Sequence, residues 1–361
     1  EADQRSAQSL SLYCANYAGL GDHSRAGQAA SSLIEQRDFS EADLQAILPA
    51  LARAQFDDLS IRLLEGLIGR GIGSKEAKHS LGLLYERMDR LAEARELLEK
   101  SATEVNALTG LLIDLARVAH KQRDYQGALG YLAHARDLEP QNAGIHYFFG
   151  LVCIDMNLGA EADAALARAV KLEPDNPQYN FAMGLVASYR RNPEEAIPYL
   201  ETFLRLRPGD SRGKLVIGMA YFRSKNYEAA KSSLKDPLSD RETAAPAHFY
   251  LGTIARQENR ISEAVVELEQ ALQIRPDYAD ALAELGQCRL QQRDYPNAEK
   301  LLRRALEIDP EHYNANFTLL TLYRRTNDPR ADEQTAKFEQ LKKNREEKAQ
   351  DFMRLIEVRP Y

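Results

Sequence analysis

The 361-residue chain has no tryptophan and only three cysteines. Cys14, Cys153 and Cys288 are an odd number, far apart, each inside an apolar stretch, with no CxxC and no Cys/His ligand spacing. They read as buried thiols, not as a disulfide framework or a zinc site. No run of eighteen apolar residues occurs, so no segment is expected to span a bilayer. An excess of positive charge is missing too. A formal net charge of -7, with 28% charged residues, disfavours nucleic acid and anionic membranes as partners. The seven histidines include no HExxH and no i,i+4 pair, and no GxSxG occurs, so neither enzyme activity nor a metal or cofactor is expected. The glycine-rich stretch Gly69-Arg70-Gly71-Ile72-Gly73 has no strand before it and no Lys-Ser/Thr after it, which argues against phosphate cradling.

What is present is a period. Residues 279–312 read as one helical hairpin: Leu282, Leu285 and Gly286 at helical spacing, a polar break at Arg293-Asp294, then Ala298, Leu301, Leu302 and Ala305 before Asp309-Pro310. Steps of 34 back from Gly286 reach Gly252, Gly218, Gly184 and Gly150. On the same lattice stand Ala94, Ala128, Ala162, Ala196, Ala230, Ala264 and Ala298, where two helices must approach closely. Four residues further on stand Leu98, Leu132, Leu166, Leu200, Leu234, Leu268 and Leu302. An Asn or Asp marks each turn, as in Asp89, Asp124, Asn157, Asn192, Asn226, Asn259 and Asp294, and Pro140, Pro174, Pro208, Pro276 and Pro310 close repeats. Repeats starting at 75, 109, 143, 177, 211, 245, 279 and 313 follow.

This pattern resembles the tetratricopeptide repeat family, whose framework is matched by Leu285, Gly286, Tyr295, Ala298, Leu302, Ala305 and Pro310. The family's tryptophan is absent; Lys78, Leu112, His146, Asn180, Lys214, His248, Leu282 and Asn316 hold its place. The resemblance implies an all-α fold, a right-handed superhelical solenoid of stacked antiparallel helix pairs with a C-terminal capping helix. It spans seven clear repeats over 75–312. Residues 1–74 read as two divergent hairpins, 7–40 and 41–74. Residues 313–361 read as a degenerate repeat, followed over 330–356 by a charged capping helix with an apolar stripe of Phe338, Leu341, Phe352, Leu355 and Ile356. Pro237 and the unusual DPLSDRETAAP ending predict that the second helix of the 211–244 repeat breaks early, leaving a hinge or simply a shortened helix.

In this family the first helix of each pair lines the concave face, through its second, fifth, ninth, twelfth and thirteenth residues. The ninth place, usually a polar amide, holds Leu151, Leu185 and Met219 in three successive repeats. With Tyr147, Ile154, Phe181, Tyr189, Leu215, Phe222 and Phe249 this predicts an apolar groove, flanked by Arg117, His120 and Lys121 on one side and Arg223, Arg256, Arg324 and Arg325 on the other. The paired Lys, Asn and Arg set of carboxylate-gripping members is not reproduced in adjacent repeats. His146 and His248 are expected to be packing histidines; His79 and His120, on adjacent first helices, could form a metal-binding or pH-sensitive pair.

The expected function is a non-catalytic protein-interaction scaffold that holds an apolar or amphipathic peptide segment. The groove could instead be closed by its own curvature. Two alternatives stand beside it: a self-associating assembly protein, homo-oligomeric through the C-terminal helix, and the repeat portion of a larger enzyme. Glu1 is not an initiator, so the sequence is expected to start after a removed signal, leader, tag or other segment, and the compartment stays open: cytoplasmic by its cysteine usage, periplasmic or secreted otherwise.

Overall fold

The computed structural model describes residues 6–103, 108–189 and 193–357, with the side chains of Thr103, Tyr189 and 345–357 outside the description. Among the described residues every regular element is helical. The chain divides into two compact units, Glu1–Pro174 and Asp175–Tyr361.

The first unit holds five hairpins: α1 (Ala7–Gly19) with α2 (His23–Glu35), α3 (Glu41–Ala54) with α4 (Asp57–Gly69), α5 (Lys75–Arg87) with α6 (Leu91–Thr103), α7 (Thr109–Lys121) with α8 (Tyr125–Leu138), and α9 (Ala143–Asp155) with α10 (Gly159–Leu172). The second holds five more: α11 (Pro177–Tyr189) with α12 (Ile197–Leu206), α13 (Ser211–Arg223) with α14 (Tyr227–Leu234), α15 (Ala244–Gln257) with α16 (Ile261–Ile274), α17 (Ala279–Gln291) with α18 (Tyr295–Ile308), and α19 (Tyr313–Arg325) with α20 (Ala331–Glu357). Two hairpins thus precede residue 75.

The 34-residue lattice is written most plainly in the backbone. Non-glycine residues with left-handed φ near 60° occur at Gln55, Asp89, Arg123, Asn157, Lys225, Asn259, Arg293 and Asn327, and Gly21 has φ 73°. Each lies 34 residues, or twice 34, from the next, and the skipped place, 191, falls outside the described residues. Each is the sharp turn between the two helices of a hairpin. The Asn or Asp read at these turns serves two different purposes. Asp89, Asn157 and Asn259 occupy the left-handed position itself, which Asn and Asp tolerate best after glycine. Asp124, Asn226 and Asp294 stand one place later and cap the second helix, their side chains accepting from Gly127, Ala229 and Asn297 backbone N–H groups at 2.9, 3.3 and 3.4 Å. Asn192, the remaining turn residue, lies outside the described residues.

In six hairpins the lattice glycine is a packing requirement. A Cβ at Gly286 would stand 2.8 Å from Leu302 Cγ, and one at Gly82, Gly150, Gly184, Gly218 or Gly252 would meet Leu98, Leu166, Leu200, Leu234 or Leu268 at 2.6–2.9 Å. All six leucines are completely buried, as are the lattice alanines Ala94, Ala162, Ala196, Ala230, Ala264 and Ala298. Between hairpins, links recur at a separation of 20: Tyr85 Oη to Glu65 at 2.7 Å, Tyr221 Oη to Glu201 at 3.3 Å and Arg289 Nη2 to Glu269 at 2.7 Å.

Some residues in the missing tryptophan's place stitch the turn between repeats. His146 Nε2 donates to Pro140 O at 3.0 Å, and Asn316 Nδ2 donates to Pro310 O at 3.1 Å, both six residues back. Asn180 Nδ2 donates to Asn176 O at 2.9 Å. His248 instead bonds Glu267 of its own hairpin at 2.7 Å.

As Pro237 requires, α14 is only eight residues long. A short 3-10 turn over Asp236–Ser239 follows, Pro237 is buried, and Thr243 Oγ1 donates to its carbonyl at 2.9 Å. The shortened helix is therefore a packed substitute for the usual ending. At the other end α20 begins where a second helix is due. Phe338 packs at a tilt against Tyr313 and Phe317 with centroids 5.0 and 5.6 Å apart, and Gln334 Nε2 donates to the buried Asn316 side chain at 3.0 Å. Of the expected stripe, Phe338 is buried and Leu341 half-buried, while the side chains of Phe352, Leu355 and Ile356 lie outside the description.

Candidate functional site

The candidate residues project from α9 in the first unit and from α11, α13 and α15 in the second, and each unit presents its own surface. In the first unit Tyr147, Leu151 and Ile154 are all half-buried, and desolvation pushes the Tyr147 phenol above its ordinary pKa. The neighbouring first helices α5 and α7 carry charge at the corresponding places. Glu86, 6% exposed, accepts from Arg117 Nε and Nη2 at 2.7 and 2.8 Å and pairs with Lys121 Nζ at 2.8 Å, while Arg117 also reaches Asp114 at 2.7 Å. Burial opposes ionisation of Glu86, yet the hydrogen bonds from Arg117 and Lys121 outweigh it and hold the carboxyl below its usual range.

The basic flank expected at Arg117, His120 and Lys121 is thus not an open cationic edge: a carboxylate closes each one. His120 Nε2 bonds Asp155 at 2.6 Å and His79 Nε2 bonds Asp114 at 2.7 Å, so the two histidines face separate aspartates and do not form a joint site. The signal was available in spacing. Each aspartate lies 35 residues after its histidine, one period plus one, which places the pair across adjacent first helices.

In the second unit Phe181 and Leu185 on α11, Leu215, Met219 and Phe222 on α13, and Phe249 and Arg256 on α15 are all half-buried. The side chain of Tyr189 lies outside the description. Phe181 packs against Phe203 at 4.9 Å, with the Arg212 guanidinium 5.9 Å from its ring centre. Phe222 lies 5.4 Å from Tyr250, Tyr250 5.1 Å from Phe249, and Phe249 5.2 Å from Tyr278, a chain of rings from α13 to the start of α17. Phe222 and Phe249 therefore commit part of their surface to neighbouring repeats. Leu185 and Met219, one period apart, stand at the same register on α11 and α13 and keep part of their surface open.

Arg256, expected as a basic flank, donates from Nε to Glu284 of α17, and the two side chains are only 16% and 9% exposed. It is a strut between first helices. Burial dominates at Glu284 and raises its pKa despite Arg256. The sequence reading passed over Glu284, although a lone carboxylate within the apolar run from Ala281 to Gly286 is a recognisable cue. One hairpin further on, His312 Nε2 bonds Asp280 at 3.1 Å, and that bond raises the histidine's pKa.

No group of three His, Cys, Asp or Glu side chains among the described residues could hold a metal, and no described helix is long and apolar enough to cross a membrane.

Repeated antiparallel hairpins, locked every 34 residues by a glycine against a leucine and reversed by a left-handed turn residue, define a helical-repeat protein. The chain belongs to the tetratricopeptide repeat family, whose profiles match residues 76–103, 119–187, 181–234 and 255–312, together more than half of its length. No match is found among curated proteins. Among solved structures, the chain is similar to a tetratricopeptide repeat protein from Parabacteroides merdae, with 15% identity, 69% of this chain and 98% of that one covered, and a TM-score of 0.57. It is also similar to PilW, a type IV pilus biogenesis factor, with 17% identity, coverage of 60% and 100%, and a TM-score of 0.52. The human IFIT1 dimer with m7Gppp-AAAA aligns over 79% of this chain and 72% of that one at 16% identity, with a TM-score of 0.48, too low to bear on function. At these identities the likeness shows the fold alone.

Proposed function

We propose that this protein is a non-catalytic interaction scaffold that holds an apolar or amphipathic peptide segment of a protein partner. In the second unit the seat is the first-helix face carrying Phe181, Leu185, Leu215, Met219 and Phe222, with Phe249 and the Arg256 strut beside it and Tyr189 on the same helix as Leu185. In the first unit Tyr147, Leu151 and Ile154 offer a smaller apolar face of the same register. The observation that carries the reading is the pair Leu185 and Met219, half-buried where the family ordinarily places a polar amide. Partly open aliphatic side chains in adjacent repeats gain from being covered, at about 25 cal/mol per Å² of apolar surface removed from water. Helical and extended segments both fit such a face.

The experiment is a Leu185→Asp, Met219→Asp variant titrated with peptides selected against the parent chain. Loss of binding with an unchanged circular dichroism spectrum supports the seat. Unchanged affinity sinks it.

A further inference from the structure

We propose that the segment held on the second unit is acidic at one end, and that Arg324 and Arg325 of α19 receive that end; the inference rests on the apolar seat proposed above. Phe317, Thr321, Arg324 and Arg325 follow one another at i, i+4, i+7 and i+8, so they share one face of α19. Phe317 is 52% exposed. Arg324 makes one polar contact, Nη2 to the Thr335 hydroxyl at 3.2 Å, and among the described residues neither arginine has a carboxylate within ion-pair distance.

Elsewhere on this unit's first helices several cations are spoken for. Arg212 is held by Asp210 at 2.9 Å and Arg256 by Glu284. Three acidic groups near α19 are committed as well: Asp328 to Arg330 at 2.6 Å, Glu299 to Arg303 and Arg330 at 2.8 and 2.6 Å, and Asp280 to His312 at 3.1 Å. In a chain of net charge -7, two guanidiniums without a carboxylate beside an exposed ring form a local receptor for carboxylates next to an apolar side chain.

The geometry sets the spacing. First helices α13, α15, α17 and α19 pack in succession. Three interaxial steps of about 9 Å put α19 about 27 Å from the Met219 helix. An extended chain advances about 3.3 Å per residue, so about eight residues separate the apolar anchor from the acidic end.

The test pans a phage-displayed library of random 16-residue peptides on the full chain. Enriched peptides are expected to carry an apolar cluster with Asp or Glu about eight residues away. A synthetic peptide of the enriched sequence should bind Arg324→Ala, Arg325→Ala at least about tenfold more weakly, with a flatter salt dependence. Arg324→Glu, Arg325→Glu should prefer the same peptide with Lys in place of its acids. Both arginines are exposed, so thermal unfolding of the variants should match the parent. Enrichment without acidic positions, or unchanged affinity in the Arg324→Ala, Arg325→Ala variant, overturns this inference. In that event sensitivity to Leu185→Asp, Met219→Asp still upholds the apolar seat, and insensitivity to it removes that reading too. A library that yields no enriched peptide overturns both.

Discussion

Replacing Gly286 by alanine sets two known effects against each other. Alanine is worth about 1 kcal/mol over glycine inside a helix. The added methyl, however, would stand 2.8 Å from Leu302 Cγ and 2.9 Å from Cδ2, inside a hairpin where Leu302 is fully buried and the Ala298 carbonyl is 3.5 Å away. Overpacking of that kind costs about 1–3 kcal/mol, so Gly286→Ala should be destabilising by about 1 kcal/mol net. Leu302→Ala alone should cost about 3 kcal/mol through its cavity. In the double variant the new methyl meets no leucine, the propensity gain survives and part of the cavity is filled. It should cost only about 2 kcal/mol, where additivity gives about 4. Urea unfolding followed by circular dichroism measures the totals, and hydrogen exchange at α17 and α18 amides shows whether the loss is local, as expected where stability sums neighbouring repeats. Additive single effects, or a stabilising Gly286→Ala, would refute the close-approach argument. The chain contains its own comparison: the 109–142 repeat has Ala116 in the glycine place with Leu132 still fully buried, so that hairpin accommodates the methyl.

Removing Arg256 as Arg256→Met leaves Glu284 buried without its cation and should cost about 3–5 kcal/mol at neutral pH; because burial already raises the Glu284 pKa, the variant should regain stability as the pH is lowered and the carboxylate takes up a proton, which thermal unfolding at pH 5 and pH 8 will show. His312 behaves in the same direction for a different reason. Its folded pKa lies above the ordinary histidine value of about 6.5, so its contribution is fully present below that value and is lost as pH rises through the folded pKa; the effect should disappear in Asp280→Asn, measured by melting temperature against pH. Burial pushes the Cys14 and Cys153 thiols up to about 11 and Cys288 to about 12, so an aromatic disulfide reagent at pH 8 should label none of the three until urea unfolds the chain.

How much of this was legible beforehand depended on whether a contact repeats. The Gly286–Leu302 contact and its copies were readable because one steric requirement recurs every 34 residues from Gly82 to Gly286 and is met by glycine at six places and by Ala116 at the seventh. The second of the two hairpins before residue 75 was harder, since Gln55 holds the left-handed place and Phe56, not Asn or Asp, follows it directly. What sequence reasoning misjudged was charge. Counting Arg117, Lys121 and Arg256 as a basic rim treated each as though water were its only partner, whereas Glu86 and Glu284, about one period away, and Asp114, one turn back on the same helix as Arg117, close them.

That error carries a rule for reading such arrays. A first-helix cation is open only if neither adjacent first helix offers a carboxylate at one period, give or take a few residues. For Arg117, Glu86 lies 31 residues back; for Arg256, Glu284 lies 28 ahead; for His120, Asp155 lies 35 ahead. Around Arg324 and Arg325 the preceding first helix offers two acids. Asp280 is turned to His312 and Glu284 to Arg256, so both are already engaged before α19 is reached. The charge at the end of the array is therefore a remainder. The pairings that hold the first helices together consume the carboxylates in the middle and leave two arginines beside Phe317 with none, which is why the acidic end of a bound segment belongs there and not at Arg256.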